Sequence, residues 1–186
     1  MRRATHRHRS LAAAVLISGL AVLTGAAARS AEGSETASTP VESTPRKVGD
    51  AVTPKQHLTP LINRIARQHQ LDPELVHALI AVESGYNVRA VSRAGALGLM
   101  QVLPKTARDY GIEDPEALFD PETNLRTGSK HLRRLLTRYR NISHALMAYN
   151  AGEGEFSDFR RDGIFAETRR YMIQVVETYW RLKGSQ

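Results

Sequence analysis

The chain reads as a small all-α domain behind an N-terminal targeting segment and a polar linker. Three observations predict that class. From about Gln56 onward apolar residues recur at helical spacing, strand-like alternation is nearly absent, and residues with helix-cap and helix-stop chemistry punctuate the pattern. The length of 186 residues allows one compact domain with extensions but hardly two full domains, and no internal repeat is visible.

A first helix places Leu61, Ile62, Ile65, Ala66 and His69 on one face. A second begins with Asp72 as N-cap and Pro73 at the first helical position, carries Leu75, Val76, Leu79, Ile80 and Val82, and stops near Gly85. A Gly-rich stretch from Ser92 to Gly98 leads to a short helix from Pro104 to Tyr110. A longer helix from Pro121 to Tyr139 carries Leu125, Leu132, Leu135, Leu136 and Tyr139, and two more run over Ile142–Asn150 and Phe165–Trp180.

Ahead of this domain, residues 1–28 have the form of a signal peptide. Arg2, Arg3, Arg7 and Arg9 precede the uncharged run Leu11–Ala28, which ends in small residues with an A-x-A cleavage site at Ala26-Ala27-Ala28. The other reading of this run is an uncleaved membrane anchor, the one way the chain would touch a membrane. Under both readings the remainder is exported, to the periplasm or cell envelope. Residues 29–55 are rich in Ser, Thr, Pro, Glu and Gly, bury too little apolar surface to offset their ordering entropy, and read as a disordered linker, which leaves 56–183 as the folded domain.

The formal charge of +7 overstates how basic the domain is. Setting aside the four arginines of residues 1–28 from 26 Lys and Arg leaves 22 against 19 Asp and Glu. So small a surplus does not point to nucleic acid, and it suits an anionic polymer such as the cell wall. The chain has no cysteine, which excludes disulfides, thiol catalysis, thiolate metal sites and lipid attachment through cysteine. Its seven histidines form no spacing typical of a metal site.

Glu83 stands out on position alone. Four residues after Leu79 and eight after Leu75, it falls on the face of its helix that should be buried. It also lies in the last turn, where the helix dipole disfavours negative charge. Both effects raise a carboxyl pKa, as a general acid requires. Position alone equally allows a glutamate that reaches solvent at a fraying helix end.

Three short blocks surround this residue with context. They are Glu83-Ser84-Gly85, Gly98-Leu99-Met100-Gln101 and Ala148-Tyr149-Asn150-Ala151-Gly152. Together with Ala90-Val91-Ser92, Gly95-Ala96, Asn124-Leu125, Gly128 and Glu167-Thr168-Arg169-Arg170-Tyr171, they resemble the soluble lytic transglycosylase catalytic domain over residues 58–180. Each block also has a structural reading. The second is a turn into a helix with Met100 as core filling, the third is a helix end capped by Gly152, and Tyr171 fits a core position.

The resemblance implies a lysozyme-like helical domain with a substrate groove, acting as a monomer on peptidoglycan glycan strands without metal or organic cofactor. It implies Glu83 as the single catalytic acid/base. Ser92, Gln101, Tyr149 and Asn150 match substrate-binding residues, Tyr171 matches a tyrosine near the catalytic Glu, and Met100 matches a groove or core methionine counted with the substrate-binding set. The sequence departs from the family pattern at Leu103, where Met is frequent, and at Glu153, where Pro is common.

The implied reaction cuts the bond between N-acetylmuramic acid and N-acetylglucosamine and closes a 1,6-anhydro ring. A hydrolytic muramidase would need a second carboxylate as base, for which Asp109, Asp120 and Glu153 are the candidates. A non-catalytic wall-binding scaffold is the remaining alternative.

Overall fold

The computed structural model describes residues 53–162 and 166–185. The expected signal peptide and nearly all of the expected linker lie outside these residues.

The described chain is helical, as predicted. Its elements are α1 (Pro54–Gln68), α2 (Pro73–Glu83), α3 (Pro104–Arg108), a 3₁₀ turn (Pro115–Phe119), α4 (Pro121–Tyr139), α5 (Ile142–Ala151), α6 (Glu153–Asp162) and α7 (Ala166–Lys183). No helix of the described residues is long and apolar enough to cross a membrane.

Local chemistry fixes the helix starts. Thr53 and Gln56 form a reciprocal capping box, so α1 begins at Pro54, slightly ahead of the boundary expected from composition. Asp72 accepts from the Glu74 N–H with Pro73 in the first turn, and Asp120 caps α4 through the Thr123 N–H at 2.8 Å. Two elements were not foreseen: the turn at Pro115, capped by Asp114, and the whole of α6.

α2 is the central post. Leu75, Val76, Ala78, Leu79 and Ile80 are all buried, so this helix is apolar nearly all round, as a helix enclosed by others must be. It packs between α1, which contributes Ile62, Ile65 and Ala66, and α7, which contributes Tyr171 and Val175. α4 lays Leu125 and Leu132 into the same core and packs against α5. Each such aliphatic side chain stabilises the fold by about 1.5–3 kcal/mol. A smaller cluster of Leu135, Ala145, Met147, Ala148 and Phe156 seats α6 on α4 and α5. This arrangement brings the C-terminal ends of α2 and α5 and the N-terminal part of α7 around one site.

Candidate active site

The segment between α2 and α3 folds back on itself through two isolated antiparallel bridges, Val91 to Leu97 and Leu97 to Val102. Its shape is set by one buried side chain. Asn124 of α4 accepts from the Met100 N–H and donates to the carbonyls of Leu97 and Leu118, each at 2.8 Å. Gly98 makes this approach possible: its φ is +72°, and a Cβ there would lie 2.3 Å from Asn124 Nδ2 and 2.4 Å from the Leu118 carbonyl. Ser84 adds a second tie, its hydroxyl donating to the Leu99 carbonyl at 2.7 Å with the Ile80 carbonyl at 3.2 Å. Ser84 therefore staples the α2 end to the loop.

Glu83 is 8% exposed, on the buried face its spacing predicts. Oε1 accepts a 2.6 Å hydrogen bond from the Tyr171 hydroxyl, whereas Oε2 has no hydrogen-bond partner among the described residues. Burial raises the carboxyl pKa to about 8 against the opposing effect of the Tyr171 hydrogen bond. The acid is thus protonated at neutral pH, with one oxygen held and one free.

The turn that follows Glu83 is anchored from behind. Tyr86, at φ +67°, lies beside His77 of α2, with its hydroxyl 3.1 Å from His77 Nδ1. Asn63 Oδ1 lies 3.1 Å from His77 Nε2 and can only accept, so Nε2 carries the proton and Tyr86 donates to Nδ1. Burial, with Lys55 nearby, lowers the His77 pKa to about 4 and keeps the ring neutral.

Tyr149 and Tyr171 frame the acid. Burial first, and the neighbouring Glu83 charge second, push both phenols well above their ordinary pKa. Tyr149 donates to the Met100 carbonyl at 2.8 Å, which ties α5 to the loop. Asn150, half-buried in the last turn of α5, has no side-chain hydrogen bond among the described residues.

Two other expected site residues support the loop. Gln101, at φ +48°, donates from Nε2 to the carbonyls of Gly98 (2.9 Å) and Ala90 (3.2 Å), and no protein donor among the described residues bonds its Oε1. Ser92 accepts from the Ala96 N–H at 2.9 Å and closes the tight turn at Gly95.

Met100 requires a correction. It is fully buried, with its sulfur against Gly128 and Ser129 of α4, where a Cβ on residue 128 would lie 2.6 Å from Sδ. Its side chain fills the core beneath the loop and is not placed to meet a substrate. Asn124 was recognised only as part of a matching pair and proves to be the residue that builds the loop.

The three carboxylates considered as a second base have other partners or positions. Asp120 caps α4, Glu153 pairs with Arg134 and Arg138, and Asp109 is exposed at the C-terminal end of α3.

A helical domain of this architecture, with one buried glutamic acid between two tyrosines, is lysozyme-like in fold. Residues 60–169 match the transglycosylase SLT domain, and the chain belongs to that family. It is similar to a transglycosylase of Enterobacteria phage PRD1, 38% identical over 94 residues that cover 50% of this chain and 34% of the relative. It also resembles membrane-bound lytic murein transglycosylase C of Actinobacillus pleuropneumoniae, 35% identical over 119 residues and covering 55% of this chain and 32% of the relative. Among solved structures it is similar to an inactive Glu-to-Gln mutant of the lytic transglycosylase Slt from Pseudomonas aeruginosa. That likeness has a TM-score of 0.60 and 26% identity, and covers 75% of this chain and 26% of the other. The chain thus spans about a third of the length of these two curated relatives.

Proposed function

We propose that this protein is an exported peptidoglycan lytic transglycosylase with Glu83 as its one catalytic acid/base. The observation that carries the proposal is the asymmetry of the Glu83 carboxyl, with Oε1 bonded to Tyr171, Oε2 unpartnered and the pKa raised to about 8. A proton on Oε2 has no acceptor among the described residues, so it is available to the glycosidic oxygen between N-acetylmuramic acid and N-acetylglucosamine.

Proton transfer to that oxygen breaks its bond to C1 of the muramoyl residue and leaves an oxocarbenium-like centre. The neighbouring acetamido group stabilises this centre. Glu83 is now a carboxylate, stabilised by the Tyr171 hydrogen bond, and it takes the proton of the muramoyl C6 hydroxyl. That oxygen closes on C1 as a 1,6-anhydro ring, and Glu83 is again protonated. Because nucleophile and electrophile belong to one sugar, the effective concentration is high and no positioned water is needed. The ion-paired state of Glu153 and the capping role of Asp120 support this route over hydrolysis.

Asn150 and the free face of Gln101 are the groups available to sugar amides and hydroxyls, while Ser92 and Tyr149 keep the loop and α5 in place around them. The test is the mass of the muropeptides released from purified sacculi. Ends in 1,6-anhydromuramic acid are expected. Reducing ends, heavier by one water, would make the enzyme a muramidase, and release of nothing by folded protein would favour a wall-binding scaffold.

A further inference from the structure

Glu153 follows the third block directly, and its carboxylate is clamped. It is 23% exposed, Oε1 accepts from Arg134 Nη2, and Oε2 lies 3.2 Å from Arg138 Nη1 as an ion pair without a hydrogen bond, both arginines belonging to α4. Arg134 also donates through Nε to the Tyr110 oxygen at 2.9 Å. Arg134 Nη2, which can only donate, lies 3.4 Å from His131 Nδ1, so Nδ1 is an acceptor that also takes the Tyr110 proton at 3.0 Å, and the ring hydrogen sits on Nε2. Burial, assisted by the Arg134 charge, lowers the His131 pKa to about 4 and keeps the ring neutral despite Glu153 and Asp109. That ring packs on Tyr149, with centroids 5.3 Å apart and planes at 53°.

A continuous set of contacts thus runs from Glu153, just after Gly152, to Tyr149, three residues before it. Gly152 sits at φ +84°, where an added Cβ would meet nothing within 4 Å, so the joint between α5 and α6 rests on its backbone hydrogen bonds to Ala148 and Phe156, on the Phe156 cluster and on the Glu153 ion pairs. We propose that Glu153 is a positioning residue that clamps α6 to α4 and, through Arg134, Tyr110 and His131, holds the Tyr149–Asn150 end of α5 in register with the glycan groove. This deepens the function proposed above and rests on it. Glu153 is also the first residue of α6, a position where proline fits because its fixed φ suits a helix start. A proline there would stiffen the same joint without a charge.

The test separates binding from chemistry. Affinity for soluble, uncrosslinked glycan strands is measured in the Glu83→Gln background, and turnover is measured with Glu83 intact. Glu153→Ala is expected to weaken Kd about fivefold, the scale of a partly exposed ion-pair network, and to raise KM while kcat changes little. Glu153→Pro is expected to bring Kd back towards the parent value. An unchanged Kd in the alanine variant would reduce the clamp to a surface ion pair and overturn the proposal. A collapse of kcat that proline does not repair would overturn it differently, by making Glu153 a base in the reaction. If the Glu83→Gln parent binds no glycan, the groove reading itself fails and the proposal falls with it.

Discussion

The Tyr171 hydroxyl lies 2.6 Å from Glu83 Oε1 and joins α7 to the end of α2 across 88 positions of sequence. Two forces meet in this contact. Burial favours the neutral acid and the hydrogen bond favours the carboxylate, and burial wins, holding the pKa at about 8. The role proposed for Glu83, giving a proton and then taking one, benefits from both. Burial keeps the proton on until the substrate arrives, and Tyr171 stabilises the anion left behind.

Tyr171→Phe removes the force that pulls the Glu83 pKa down, so that pKa should rise further. The alkaline limb of the kcat profile, which reports deprotonation of the acid, is expected to move to higher pH. The rate at neutral pH should fall roughly 10–100-fold, the worth of a hydrogen bond to a charged group. An alkaline limb that stays in place would separate Tyr171 from the titration of Glu83.

Much of this site was legible because it lies on regular structure. Leu75 and Leu79 place Glu83 on the inner face of α2 by spacing alone, and the structure buries it there. The choice between groove and core for Met100 was not legible. Gly98 and Gln101 both have positive φ, which breaks the regular order of side-chain directions on which a reading by spacing relies, and Met100 points inward between them. Helix α6 was missed because its sequence, EGEFSDFRRD, is mostly charged and follows a glycine read as the end of a helix. It is held by tertiary contacts, chiefly the fully buried Phe156 against Tyr139 at 5.1 Å and the pairing of Glu153 with α4. Thr53 and Gln56 did spell a capping box, but the Ser-, Thr- and Pro-rich composition around them favoured a linker.

Asn124 should be as sensitive as any apolar core residue. Asn124→Ala strands the Met100 N–H and the Leu97 and Leu118 carbonyls, and buried unsatisfied groups of this kind cost about 1–3 kcal/mol each. A loss of about 3 kcal/mol or more is expected in urea unfolding. Gly98→Ala, which would press a methyl onto the same amide, should cost a similar amount. Because both changes break one contact set, the double variant should lose clearly less than the sum. Full additivity would mean that the two residues act independently.

Glu83→Gln should abolish sacculus clearing and also stabilise the protein, with a pH dependence whose sign follows from the raised pKa. An unfolded glutamate titrates near pH 4.3, whereas the folded one titrates at about 8. Between these values the native state keeps a proton that the unfolded chain has released. Stability linked to this group is therefore complete below the unfolded pKa and is lost as pH rises to about 8. Glutamine does not titrate, keeps an oxygen for the Tyr171 hydroxyl and carries none of this loss. Thermal melts of the two proteins should nearly coincide at pH 4 and separate progressively up to pH 8, where the variant leads by a few kcal/mol. A constant difference across that range would mean that Glu83 ionises normally in the folded protein. The buried acid would then lack the one property that lets a single carboxyl group serve both proton transfers.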